Sequence, residues 1–147
     1  MSLILLVEDD PELSVVVTYL LNRKNITVIT DKTGENVHHH IATACPDLII
    51  MDVWLPAKLG TELCAEIKAY SSLPIIIFSA ATVAEQQIVT CKADAFLEKP
   101  FDLEDFDECI SRCLTVQCQI EFQFISQIFS FLSNFIFLHF IYFYWKE

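Results

Sequence analysis

A chain of 147 residues suits one domain with a single buried core, and a second folded output domain is not expected. Its formal net charge of -11, with only nine Lys and Arg, disfavours a sequence-independent grip on nucleic acid, because phosphate backbones demand a basic face. Six cysteines without CxxC pairs, and a Met1-Ser2 start that runs straight into an apolar stretch with no secretory leader, point to reduced thiols in a cytoplasmic protein.

Leu3 to Val7 is apolar throughout, the pattern of a strand covered on both faces by helices, and Glu8 and Asp9 stand at its end. Asp10 is placed to cap a helix with Pro11 at the first position, and Leu13, Val16, Val17, Leu20 and Leu21 recur at helical spacing as one buried stripe. Ile26 to Ile29 reads as a short second strand, and Thr33-Gly34 opens a second helix that runs to about Thr43. Pro46-Asp47 leads into a third strand that ends at Asp52. A turn closed by Pro56 and Gly60 follows, and then a third helix from Thr61 to Tyr70 with Leu63, Ile67 and Tyr70 on one side. Pro74 restarts the sheet in Ile75 to Phe78, with Ser79 at its rim. Thr82-Val83-Ala84-Glu85 is a capping box for a fourth helix. Ala95-Phe96-Leu97 is a fifth strand, closed by Lys99-Pro100; Asp102 caps the last helix, which turns Phe106, Cys109, Ile110, Cys113 and Leu114 to the core. Five strands alternating with five helices predict an α/β fold: a three-layer α/β/α sandwich around a five-stranded parallel sheet, with right-handed crossovers.

Ligands of such a sheet bind outside the carboxyl ends of its strands. Glu8, Asp9, Asp52, Ser79 and Lys99 all fall at those ends, offering acids, a hydroxyl and an ammonium. Three carboxylates converging at adjacent strand ends repel one another unless a cation joins them, and hard oxygen donors with room for water favour Mg²⁺ (or Mn²⁺). A carboxylate held beside such an ion can attack a phosphoryl group, and an ammonium and a hydroxyl can share the charge that results. Each residue has a plainer reading: Asp52 as a turn-forming side chain before Pro56, Lys99 as a surface lysine, Ser79 as a strand cap. Those readings weaken once the residues stand in register.

Over about residues 1–118 the chain resembles the receiver domain of two-component response regulators. Val7-Glu8-Asp9, Asp52 with Pro56 and Gly60, Ser79-Ala80, and Phe96 with Lys99-Pro100-Phe101 carry the resemblance, in the family's order. It implies a flavodoxin-like sheet of order 2-1-3-4-5 and Asp52 as the phosphoacceptor. By the same resemblance Asp9, Asp52 and the Trp54 main-chain carbonyl bind the ion directly, and Glu8 acts through water. Lys99 and Ser79 would share the charge of the phosphate, and the small Ala80 would leave the approach open. Ser79 and Phe96 would then switch the surface of the fourth helix, fifth strand and fifth helix. The implied partners are a sensor histidine kinase or phosphotransfer protein as donor and a downstream protein as recipient of the signal; a homodimer stays open beside the resemblance, and the net charge disfavours direct DNA binding. The module would assist its own phosphorylation and dephosphorylation rather than act as an enzyme on a separate substrate.

The chain departs from the family at Lys92, where Gly is usual, and the segment from Ser79 to Lys99 is about two residues short; both bear on the output face. Trp54 is large for its position, which suits it either to shield the site or to shape the lifetime of the phosphoryl group. A dehalogenase-like phosphatase would need a second acid where Trp54 stands, and a flavin carrier would need a Gly-rich phosphate loop where Glu8, Asp9 and Asp10 stand. The surviving rival is an adaptor that docks regardless of phosphorylation. His38-His39-His40 points around a helix axis and cannot converge on one ion, and Cys109 with Cys113 reads as core packing rather than a zinc site.

Residues 119–147 stand apart. Eight of the twelve Phe lie between residues 122 and 143, and no charge occurs from Phe122 to Trp145. That length would span a bilayer, yet Gln123, Gln127, Asn134 and His139 disfavour its centre. A membrane anchor, a helical extension that pairs with another chain and a segment without a role compete; membrane contact is the less favoured reading.

Overall fold

The computed structural model describes residues 2–80 and 90–115. The elements run β1 (Leu3–Val7), α1 (Pro11–Asn22), β2 (Thr27–Asp31), α2 (Val37–Ala44), β3 (Leu48–Asp52), α3 (Gly60–Lys68), β4 (Ile75–Ala80) and β5 (Ala95–Lys99), followed by a helix over residues 103–115, here α4. The five strands are parallel and lie in the order β2-β1-β3-β4-β5, as the resemblance implied. Residues 1–114 form one compact unit. The fourth helix expected from Thr82, Cys118 and the tail 119–147 lie outside the described residues.

The all-apolar strands are explained by parity. Successive side chains of a strand point to opposite faces, so a continuous apolar run feeds two layers at once. Ile4, Leu6, Leu48, Ile50, Ile76 and Phe78 pack with Val17 and Leu21 of α1 and with Phe106, Cys109, Ile110 and Cys113 of α4. Leu5, Val7, Ile49, Met51, Ile75 and Ile77 face the other way, onto Val37 of α2 and Leu63, Cys64 and Ile67 of α3. Each fully buried Ile or Leu of this set stabilises the fold by about 1.5–3 kcal/mol relative to exposure. The expected core face of α4 is therefore the observed one.

Several boundaries differ from the sequence expectation, each for a local reason. On α1 the buried positions are Ser14, Val17 and Leu21, with Leu13 and Leu20 half-buried, whereas Val16 is 52% exposed. Ser14, Val17 and Leu21, spaced i, i+3 and i+7, make the buried face, and Val16 falls outside it. Strand β2 runs on to Asp31, whose buried carboxylate draws in the Thr33, Gly34 and Asn36 amides, so the backbone turns and α2 starts only at Val37. Gly34 serves that turn with φ +83. Helix α3 stops at Lys68, leaving Tyr70 59% exposed with its hydroxyl 2.9 Å from His38 Nδ1. Lys92, exposed, holds φ 58, the left-handed region that explains why Gly suits its position. Among the described residues no helix is long and apolar enough to cross a membrane.

Candidate functional site

The topology decides which strand ends meet. Strand β1 pairs with β3 and β3 with β4, so Glu8 and Asp9, just beyond Val7, lie beside Asp52 at the end of β3. Oxygens from Glu8, Asp9 and Asp52 all come within 4.8 Å of one another, and they are the only group of three or more metal-ligating side chains found among the described residues. Asp9 is exposed, whereas Glu8 and Asp52 are buried. Asp10 stays out of the cluster. Its Oδ1 accepts from the Glu12 and Leu13 amides at 2.8 and 3.3 Å, capping α1 as its sequence position required.

Lys99 closes the site from the far side. Strand β5 lies two strand spacings, about 10 Å, from β3, a gap that a long flexible ammonium arm can bridge. Its Nζ donates to Glu8 Oε2 at 2.9 Å and stands 3.1 Å from Asp52 Oδ1. Asp52 Oδ1 also accepts from the Val53 amide at 2.8 Å. The Lys99 ammonium rests 5.8 Å from the centroid of the Phe78 ring, which packs in turn on Phe101 and Phe106. The Lys99-Pro100 peptide is cis.

One ammonium facing three carboxylates leaves a surplus of negative charge. Burial pushes the Glu8 carboxyl above its ordinary 4.5, the Lys99 ammonium pulls it down, and the Asp52 charge adds to the rise. The donor set is all hard oxygen. Its 4.8 Å spread is near the roughly 4.2 Å that separates opposite ligands of an Mg²⁺ octahedron, so the residues fit a divalent cation with waters completing its shell.

The remaining residues singled out from sequence lie on β4, on β5 and in the segment after β3. Ser79 and Ala80 end β4, in register with Glu98 and Lys99; Ser79 is buried and its hydroxyl donates to the Ala80 carbonyl at 3.1 Å. Trp54, 53% exposed, follows Asp52 by two residues and forms an isolated bridge with Leu59. Phe96 lies three residues back along β5 from Lys99 and is 36% exposed, so it is not an ordinary core Phe. Gly60 proves more than a turn residue. A Cβ there would stand 1.9 Å from the Asp52 main-chain oxygen, and its amide donates to the Val53 carbonyl at 2.8 Å. Asp31 is not among the residues expected from sequence; an acid closing β2 just before Thr33-Gly34 is the signal that marks it.

The family model for the response regulator receiver domain matches residues 4–111. The chain is 34% identical over 107 residues to the response regulator ArlR of Staphylococcus aureus, covering 71% of this chain and 49% of that protein. It is 28% identical over 108 residues to the transcriptional regulatory protein KdpE of Mycobacterium tuberculosis, covering 72% and 48%. It thus spans about half the length of these relatives. Among solved structures, the signal receiver domain of a signal transduction histidine kinase from Syntrophus aciditrophicus matches with a TM-score of 0.73 at 26% identity, over 78% of this chain and 91% of that one.

Proposed function

The chain belongs to the response regulator receiver family, a class of phosphoacceptor signalling modules, and from that premise we propose that Asp52 is the residue phosphorylated. The donor is the phosphohistidine of a sensor histidine kinase or of a phosphotransfer protein. An Asp52 carboxylate oxygen attacks phosphorus, the P–N bond breaks, and its electron pair returns to the imidazole nitrogen. The observation that carries this reading is the Lys99 ammonium 3.1 Å from Asp52 Oδ1, with two further carboxylates in the same cluster.

Asp9, Asp52 and the Trp54 main-chain carbonyl would hold Mg²⁺ (or Mn²⁺), with Glu8 linked through water. The ion, when bound, neutralises the carboxylates and draws charge from the phosphoryl oxygens. Lys99 follows the negative charge from the carboxylate to the phosphoryl group, and Ser79 turns its hydroxyl from the Ala80 carbonyl to the same acceptor. The small side chain of Ala80 keeps the approach open. Phe96, exposed before modification, moves into the space Ser79 leaves, which alters the output surface for a downstream protein partner or a second copy of the chain. The receiver is taken as 1–118 and the tail as 119–147; the compact unit 1–114 ends four residues earlier and supports a division in this region.

The test is intact-mass analysis with acetyl phosphate and Mg²⁺, with and without chelator. Wild-type protein should gain one phosphoryl group in a chelator-sensitive manner, and Asp52→Asn should gain none. Labelling of Asp52→Asn at the wild-type level would remove Asp52 from this role, and an unlabelled wild type would leave a docking adaptor in its place.

A further inference from the structure

We propose that Asp31, which belongs to neither the acidic cluster nor the phosphoryl site, is a positioning residue that holds the loop after β3 in place for the cation. The inference rests on the reading that the Trp54 carbonyl is one of the ligands. Asp31 is 5% exposed and closes β2, with its main-chain oxygen accepting from the Glu8 amide at 3.1 Å. Its carboxylate is fully employed: Oδ1 accepts from the Thr33 amide and the Gly34 amide at 3.0 Å each and from the Thr33 hydroxyl at 3.3 Å, and Oδ2 accepts from the Asn36 amide at 2.9 Å. A buried carboxylate with four donors fixes the loop that supplies them.

That loop in turn touches the segment after Asp52. The Thr33 carbonyl accepts from the Ala57 amide at 3.3 Å, and a Cβ on Gly34 would stand 3.1 Å from Leu55 Cδ1. Leu55 and Ala57 follow Trp54 by one and three residues in the same segment. The order of support is therefore Asp31, then Thr33 and Gly34, then Leu55 and Ala57, then the Trp54 carbonyl. Asp31 touches no proposed ligand side chain, so its effect reaches the ion through loop geometry. Removing a group bonded directly to a metal ligand typically costs about 10–100-fold in affinity, and Asp31, acting through two further contacts, is set at the low end of that range.

The experiment uses the full chain carrying Trp145→Phe, so that Trp54 is its only indole, and follows Trp54 emission while Mg²⁺ is added, with circular dichroism checking the fold of each variant. Asp31→Asn keeps the side-chain size and loses the Oδ2 acceptor. Gly34→Ala disturbs the same contact without changing charge. Each should raise the Mg²⁺ concentration for half-saturation by about tenfold, whereas Glu35→Gln, which removes an exposed charge from the same loop, should leave it unchanged. Unaltered half-saturation in folded Asp31→Asn or Gly34→Ala overturns the proposal, as does a Glu35→Gln effect equal to that of Asp31→Asn, which would mean charge rather than position. A parent protein with no saturable Mg²⁺ response would instead defeat the metal reading itself, and this inference with it.

Discussion

Gly60→Ala is the sharpest perturbation of the site that leaves every charged group in place. Gly60 opens α3 without a positive φ, so replacing it by Ala would ordinarily stabilise the chain by about 0.4–1 kcal/mol, because the unfolded state loses freedom. Here the new methyl would meet the Asp52 main-chain oxygen at 1.9 Å and Met51 Cγ at 3.1 Å. To reach an ordinary separation of about 3.4 Å, the helix start and the β3 end must part by about 1.5 Å. Both are held by the Gly60 amide bond to Val53 and by the pairing of Asp52 with Phe78. Overpacking of this kind costs about 3 kcal/mol, so the sign reverses. Net of the unfolded-state gain the loss is about 2–2.6 kcal/mol, and with a urea slope of about 2 kcal/mol/M the midpoint should fall by about 1 M. Displacing Asp52, the proposed nucleophile, by an ångström should also slow acetyl-phosphate labelling by about 100-fold. Urea unfolding followed by circular dichroism, together with timed intact-mass labelling, measures both. A variant as stable as wild type or more so, and labelled at the wild-type rate, would refute the close-approach argument.

Two further outcomes are expected. Burial raises the folded pKa of Glu8 above its ordinary 4.5, so its contribution to stability is fully present below that value and is lost as pH rises through the folded pKa. Glu8→Gln should therefore raise the urea midpoint near neutral pH in Mg²⁺-free buffer, and the gain should shrink toward zero below pH 4.5; a gain of equal size at both pH values would contradict the assignment. Lys92→Gly relieves the left-handed backbone at φ 58 and should stabilise the fold by about 1 kcal/mol without altering labelling of Asp52, read as a rise in the urea midpoint at an unchanged labelling rate.

How much was legible in advance varies by element. The strands were, since β1, β3 and β4 are nearly unbroken apolar runs and such runs have few other uses in a chain this size. The cap at Asp10 was legible because it depends on amides two and three residues away. Boundaries failed where a distant or buried group intervened. Thr33-Gly34 reads as a helix start, but Asp31 draws those amides into a turn; Val16 fits the helical stripe, but the buried face of α1 runs through Ser14, Val17 and Leu21. Tyr70 completed a helical stripe in sequence and ends exposed beyond the last turn of α3.

The amino-acid order alone determined which residue types end the strands, because local rules of periodicity and turn chemistry act over a few residues. It could not determine that the Lys99 ammonium contacts Glu8, 91 positions away, or that Gly60 is needed to clear the Asp52 carbonyl. The Lys99 contact exists only once β3 and β4 stand between β1 and β5, and the Gly60 contact only once the start of α3 folds back on the end of β3. Sheet order brings acids from two strands and a cation from a third to one rim, and no local signal encodes that order.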